Sequence, residues 1–209
     1  MTASSFRGLN NVKPVPLGKM LYRGVRLGTL MSKTPPEALF ASESQNRYNL
    51  EGVKTLYFGE NILTAYSETV QEYAGLVIDH PTIESKTPVG HDIGEGSEPV
   101  VLFATKVWIG NVLDLTDPAI QSKIGVTEAS LTGPWRWEVS MGRSSLTQQL
   151  GNAVYKGKRF EAIRFPSEKA SDPARHTTHA NWAVLVSRLK GDSFLEVSDV
   201  SGSLSGRLP

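Results

Sequence analysis

The stretch "GVKTLYFGENILTAYSETVQE" (Gly52–Glu72) carries a carboxylate, Glu68, whose surroundings decide its chemistry. Ile62, Tyr66, Val70 and Tyr73 recur with the one-sided period of a helix. Glu68 falls off that stripe, on a flank of the helix. There it is either solvated or turned toward a pocket floored by the preceding strand. In a water-poor pocket a carboxylate stabilises positive charge developing beside it. Arg23 lies inside the apolar run "LYRG", Arg47 and Tyr48 in "NRYN", Tyr57 in "LYFG", and Ser167 closes "RFPS". An arginine fork grips phosphate or ribose oxygens in a defined plane, which a lysine does not. An aromatic face such as Tyr57 or Tyr48 can hold a flat ring. A hydroxyl such as Ser167 can hydrogen-bond a substrate or orient Glu68. No histidine is placed in sequence to activate it as a nucleophile. Each residue has a plainer alternative. Glu68 could be a surface glutamate, Arg23 a solvent-facing strand residue and Arg47 half of a loop salt bridge. Tyr57 and Tyr48 could be core packing, and Ser167 a turn residue after Pro166.

These residues need elements to hold them. "GKMLYRGVRL" (Gly18–Leu27) reads as a strand, Val53–Phe58 as another, and the Glu68 helix follows the break at Gly59. Ser32–Asn46 is a connection, with Pro35 and Pro36 against a regular interior. "GLVIDHPTI" is a short apolar run, and Glu84–Pro99 is a polar loop rich in Gly and Pro. "VVLFATKVWI" (Val100–Ile109) is the most strand-like run; a short strand and a helix opening at Asp117-Pro118 follow it. Ser144–Gly157 reads as a helix capped by Gly157. Phe160–Ser167 and Asn181–Leu189 read as strands. Residues 1–16 form a flexible arm, 17–190 the working domain, and 191–209 a Ser/Gly-rich, partly flexible tail. The mixture is α+β with antiparallel-type strands, and its irregular order does not suggest a doubly wound parallel sheet.

Composition narrows the classes. The chain has 209 residues, 39% of them hydrophobic, which suits one domain. Its 22 Lys and Arg balance 21 Asp and Glu, so no global charge attracts nucleic acid or an anionic membrane. There is no cysteine, which excludes disulfides, thiolate catalysis and Cys-based zinc sites. The N-terminus has no apolar signal region, and no run approaches the roughly 18 apolar residues of a membrane helix. A cytoplasmic protein is expected. No G-x-G-x-x-G follows a strand, and no Walker A loop or G-x-S-x-G elbow occurs. "HTTH" (His176–His179) lacks the glutamate of a zincin helix, so it reads as surface histidines and no metal site is expected. "GPWRWEV" (Gly133–Val139) reads as a core or pocket wall, with a partner surface as the alternative.

Taken in order, these stretches resemble the RES-domain family, named for an Arg, a Glu and a Ser. "RYNLEGVKTLYFGENILTAYSETV" is similar to that family's arginine–Gly–Leu-Tyr–helix–Glu segment, and "NVLDLTD" to its Leu-Asp-Leu strand. "TQQLGNAVYKGKRFEAIRFPS" resembles its Gln–helix–Gly–strand–Ser segment, with Phe165 where a tyrosine is frequent. "NWAVL" resembles its closing strand. The resemblance runs from about Leu21 to Val186. It implies a single domain like the ADP-ribosyltransferase fold: mostly antiparallel strands in a split sheet, with a few helices around an NAD cleft. It implies catalytic roles for Glu68, Arg23 and Ser167, and NAD contacts from Arg47, Tyr57 and Tyr48. The implied reaction breaks the nicotinamide–ribose bond, with water, phosphate or a protein side chain as acceptor. NAD is then the substrate, and no further cofactor is implied. The family also implies a toxin whose partner is an antitoxin of helix-turn-helix type, in an oligomer with it, and no direct contact with nucleic acid or membrane. The competing readings are a module of the same fold that binds a nucleotide without cleaving it, and an interaction protein using Trp135–Trp137.

Overall fold

The computed structural model describes residues 6–32, 44–69, 99–167, 180–197 and 205–209. Most of the Ser32–Asn46 connection, the "GLVIDHPTI" run, the Glu84–Pro99 loop except its last residue, and "HTTH" lie outside them.

Two long strands frame the molecule. β1 (Val15–Arg26) and β3 (Val100–Asp114) pair antiparallel from Val15↔Val112 to Arg26↔Val100. In β3 Phe103, Thr105, Val107 and Ile109 are buried while Ala104, Lys106 and Trp108 are exposed, the alternation of a strand with one covered face. The other described strands are β2 (Thr55–Gly59), β4 (Ala162–Pro166), β5 (Ala180–Leu185), β6 (Phe194–Val197) and β7 (Gly206–Leu208). They form one sheet of order β1-β2-β5-β4-β3-β6-β7, and the additional β1–β3 pairing closes its first five strands into a ring. Only β3 and β4 are parallel among the described pairs.

The expected split sheet is therefore replaced by a closed, barrel-like one. The cause is the length of β3. Its 15 residues pair with β1 on one side, and with both β6 and the end of β4 on the other. Closure removes edges from five strands.

The two faces carry separate apolar clusters. Inside the ring lie Leu21, Leu56, Phe58, Val107, Trp182 and Val184 among others. Outside, Leu113, Ile163, Phe165 and Ala183 pack with the helices. The described helices are α1 (Leu27–Ser32), α2 (residues 62–69), α3 (Pro118–Ile124), α4 (Glu128–Thr132), α5 (Trp135–Ser140) and α6 (Leu146–Gly157); α3, α4 and α6 supply the outer cluster, whereas Leu30 of α1 packs against the inner one. Asp117 caps α3, its Oδ1 accepting from Ala119 N at 2.8 Å, with Pro118 in the first turn. Ser145 and Gln148 close a reciprocal capping box at the start of α6. At its other end Gly157 is still helical, and the left-handed residue is Lys158, with φ 55°.

Three further expectations change. Residues 6–16 are not a flexible arm: Phe6, Leu9 and Val12 are buried in the outer cluster. Lys123 Nζ donates to Asn11 O at 2.7 Å, and Arg159 donates to Asn10 O and Val12 O, which ties the segment down. The end of the tail is a strand, β7, paired with β6. The strand expected over Asn181–Leu189 stops at Leu185 and continues as a 3-10 turn, Val186–Arg188.

Candidate active site

β2 ends at Gly59 and the chain turns almost at once into α2. Asn61 starts the helix: its Oδ1 accepts from Thr64 N at 2.8 Å and its carbonyl from Ala65 N at 3.1 Å. Two glycines seat it. A Cβ on Gly59 would lie 2.6 Å from Ala65 N, and one on Gly24 would lie 2.2 Å from Thr69 Oγ1. Neither position has room for a side chain, so α2 rests directly on β1 and β2. Ala65 and Thr69 form the seated line, and Glu68, three residues after Ala65, is carried on the same side. The expected stripe is not the seated face. Ile62 is 51% exposed, whereas Thr64 and Ala65 are buried. Val70 and Tyr73 of that stripe lie outside the described residues.

Glu68 is half-buried and held from two strands. Its Oε1 accepts from Ser167 Oγ at 3.0 Å and from Asn181 Nδ2 at 2.7 Å. Sheet register explains the meeting. Phe165 and Gly59 both pair with Asn181, so Gly59, Asn181 and Phe165 share the outer face on which α2 sits. Ser167, two residues past Phe165, follows that face beyond the strand end. Both bonds fall on Oε1, and Oε2 has no hydrogen-bond partner among the described residues. One oxygen fixes the orientation of the carboxylate and the other is left to act.

The remaining candidates form a neighbouring network. Tyr57 Oη donates to Asn49 Oδ1 at 2.8 Å and accepts from Tyr48 N at 2.8 Å. Arg47 Nη1 donates to Leu131 O, near the end of α4, at 2.7 Å, which satisfies one of the helix's terminal carbonyls. Arg23 Nη1 donates to Tyr57 O at 3.1 Å, tying β1 to β2. Glu68 and Ser167 thus meet directly, while Arg23, Arg47 and Tyr57 are tied to one another's elements.

Tyr48 is the exception. It is 0% exposed, and its ring packs on Phe165 with centroids 4.4 Å apart. Burial pushes its phenol above the ordinary range, and its Oη has no hydrogen-bond partner among the described residues. It is a core residue, with no ring face open to a dinucleotide, and α6 presses on its backbone. A Cβ on Gly151 would lie 1.8 Å from Tyr48 O. Gln148 Nε2, one helical turn earlier, donates to Asn46 O at 3.2 Å.

Three residues outside the expected site set are prominent in the geometry. Asn181 holds Glu68; its signal is a lone amide at the head of the apolar strand "NWAVL". Asn49 organises its loop, with Nδ2 within 3.2 Å of the carbonyls of Ser44, Leu50 and Val53. Glu60 lies on the inner face at the end of β2. Its Oε1 accepts from Arg164 Nε at 2.7 Å and Trp182 Nε1 at 3.0 Å, and its Oε2 pairs with Lys19 Nζ at 2.9 Å. Trp137, expected in a wall, is 53% exposed, with Arg143 stacked over it at 5.3 Å. Among the described residues no group of three or more His, Asp or Glu could hold a metal ion, and no helix is long and apolar enough to cross a membrane.

A sequence model of the RES domain matches residues 24–200. The chain belongs to the RES domain family. The matched span of the RES domain contains Arg47, Tyr57, Glu68 and Ser167, and Arg23 immediately precedes it. Its fold is similar to one in the crystal structure of the M. tuberculosis MbcT–MbcA toxin–antitoxin complex. That likeness has a TM-score of 0.58 at 10% identity and covers 94% of this chain and 90% of the other. No curated protein matches this RES domain in sequence.

Proposed function

We propose that this RES domain is a toxin that consumes NAD by cleaving the bond between nicotinamide and ribose. The observation that carries the reading is Glu68: a carboxylate with Oε1 bound by Ser167 and Asn181 and with Oε2 unbonded among the described residues. When the glycosidic bond breaks, its electron pair leaves with nicotinamide and the ring loses its positive charge. Positive charge then develops on the ribose, as in other oxocarbenium-like reactions. A preoriented carboxylate stabilises that charge without reorganising. The acceptor oxygen bonds to the ribose carbon and gives up its proton to solvent. Arg23 and Arg47 supply forks for the pyrophosphate and ribose oxygens, and Tyr57 a ring beside them. Tyr48 serves by holding the Arg47 loop.

An enzyme that drains NAD harms its own cell, so its cytoplasmic action needs a restraint. The likeness in fold to a chain of a toxin–antitoxin complex supports a separate inhibitory partner, of helix-turn-helix type, with a chain carboxylate directed at Arg23 and Arg47. The deciding experiment incubates purified protein, freed of any partner, with NAD, with and without phosphate and with protein acceptors. Nicotinamide release is expected, and the ADP-ribosyl product identifies the acceptor. No nicotinamide above the blank in every arm would overturn the proposal.

A further inference from the structure

We propose that Glu60 is a positioning residue for Glu68, acting through the sheet from inside the barrel. This rests on the proposed role of Glu68. Along β2, β5 and β4 the side chains alternate between faces. Phe58, Trp182, Arg164 and Asp114 lie in one register row on the inner face, and Gly59, Asn181 and Phe165 in the adjacent row on the outer face. Glu60 binds the inner row: Trp182 Nε1 at 3.0 Å, and Arg164 through both Nε at 2.7 Å and Nη2 at 3.2 Å. Arg164 is braced in turn by Asp114 Oδ2 at 3.0 Å and Thr116 Oγ1 at 2.6 Å. Glu68 binds the outer side of the same two strands. Asn181 is the residue next to Trp182, and Ser167 stands three residues after Arg164.

The two carboxylates are joined by the chain itself. Glu60 N donates to Ala180 O at 3.0 Å, locking the end of β2 to the start of β5, and α2 begins two residues later. Moving Trp182 or the end of β2 therefore moves the Asn181 amide relative to Glu68. Glu60 is only 12% exposed, so its bonds are shielded from water and hold direction. Its partners among the described residues are Arg164, Trp182, Lys19 and Ala180; its effect passes through the backbone of β4 and β5.

The test uses Glu60→Gln and Trp182→Phe in the full chain. Trp182→Phe removes the indole donor together with part of a buried ring but leaves Glu60 its ionic partners, so it tests the same contact without disturbing the charge network. Each should lower kcat for nicotinamide release about tenfold with KM for NAD unchanged, as a displacement of under 1 Å at a catalytic group does. In an Asn181→Ala background, where the contact to be positioned is gone, the same changes should cost less than about twofold. A merely structural role predicts equal losses in both backgrounds and would overturn the proposal. A second readout needs no turnover: the side-chain amide resonances of Asn181. They should shift on Glu60→Gln and on Trp182→Phe, and unshifted resonances would also overturn it. Wild type without turnover would sink the proposed reaction, while the amide resonances would still decide the positioning role.

Discussion

Replacing Gly151 by alanine adds one methyl group where α6 crosses the loop that carries Arg47. The added Cβ would stand 1.8 Å from Tyr48 O, 2.5 Å from Tyr48 C and 3.0 Å from Tyr48 Cα. Ordinary contact between such atoms is about 3.5 Å, so helix and loop must separate by roughly 1.5 Å. Neither side yields by a rotamer change, because the obstructing atoms are backbone. The helix is fixed by its Ser145–Gln148 box, and the loop by Tyr57 Oη on Tyr48 N and Gln148 Nε2 on Asn46 O. Forcing them apart should cost about 3 kcal/mol, the upper end of the overpacking range. Arg47 adjoins Tyr48 and should move with it, and a shift near 1 Å in a positioning group costs roughly 10²-fold in kcat/KM.

The control lies on the same helix. A Cβ on Gly157 meets nothing within 4 Å, and its φ is not positive. Gly157→Ala should therefore raise stability by about 0.5–1 kcal/mol through helix propensity alone. Denaturant titration of both variants, with kinetics taken well below the transition, separates the two effects. A Gly151→Ala protein with the wild-type midpoint and wild-type kcat/KM would refute the close-approach reasoning.

Glu68→Gln keeps the shape and loses the charge, so it should fold normally and turn over NAD about 10²-fold more slowly; wild-type turnover would mean that the carboxylate is not the stabilising group. Tyr48→Phe removes a buried hydroxyl that has no hydrogen-bond partner among the described residues, and should raise stability by about 1 kcal/mol, read as a higher Tm; a lower Tm would show that the hydroxyl is satisfied in solution. For Glu60, burial alone would raise the pKa, but the bonds from Arg164, Lys19 and Trp182 outweigh it and bring it from 4.5 down to about 2. Its contribution is thus complete above pH 4.5 and fades as pH falls through 2. Glu60→Gln should flatten the fall in stability across that window, and an unchanged slope there would place the acid sensitivity elsewhere.

The strands were legible where one face is covered. Val100–Ile109 alternates, and its hydrophobic period announces the strand directly. Closure of the sheet was not legible, because it depends on β3 pairing along both edges, and a strand's own sequence does not say how many neighbours it has. The Glu68 helix was located correctly but its inner face was misread. The apolar stripe through Ile62 suggested one side; seating over Gly24 and Gly59 selects Ala65 and Thr69 instead, since close approach favours small residues over large apolar ones. Tyr48 reads in sequence as an aromatic beside an arginine. Its burial and its packing on Phe165 show that its ring is enclosed. The N-terminal segment differs for a similar reason: Phe6, Leu9 and Val12 recur every third residue, but over too short a run, closed by Pro14 and Pro16, to read as an element, yet they pack in the outer cluster with Ile124 and Val154.

The placement of Glu68 follows from a change of faces over a few residues. Phe58 points into the barrel, Gly59 outward, and Glu60 inward again, so one turn of chain reaches both sides of the sheet. The outward glycine gives α2 its seat, and the inward glutamate fastens the strands beneath that seat. A larger residue at Gly59 would lift the helix, and an apolar residue at Glu60 would leave Arg164 with only Asp114 and Thr116 and the Trp182 indole without its acceptor. The carboxylate proposed for chemistry thus stands on a floor whose rigidity comes from the far side of the sheet. Short strands such as β2, β4 and β5 are held by few backbone bonds each, and buried ionic bracing stiffens them where burial of apolar side chains, being non-directional, does not fix angle. On this argument the inner network belongs to the function as much as to the fold: it sets the direction of the Asn181 amide, and through it the direction in which Oε2 of Glu68 faces.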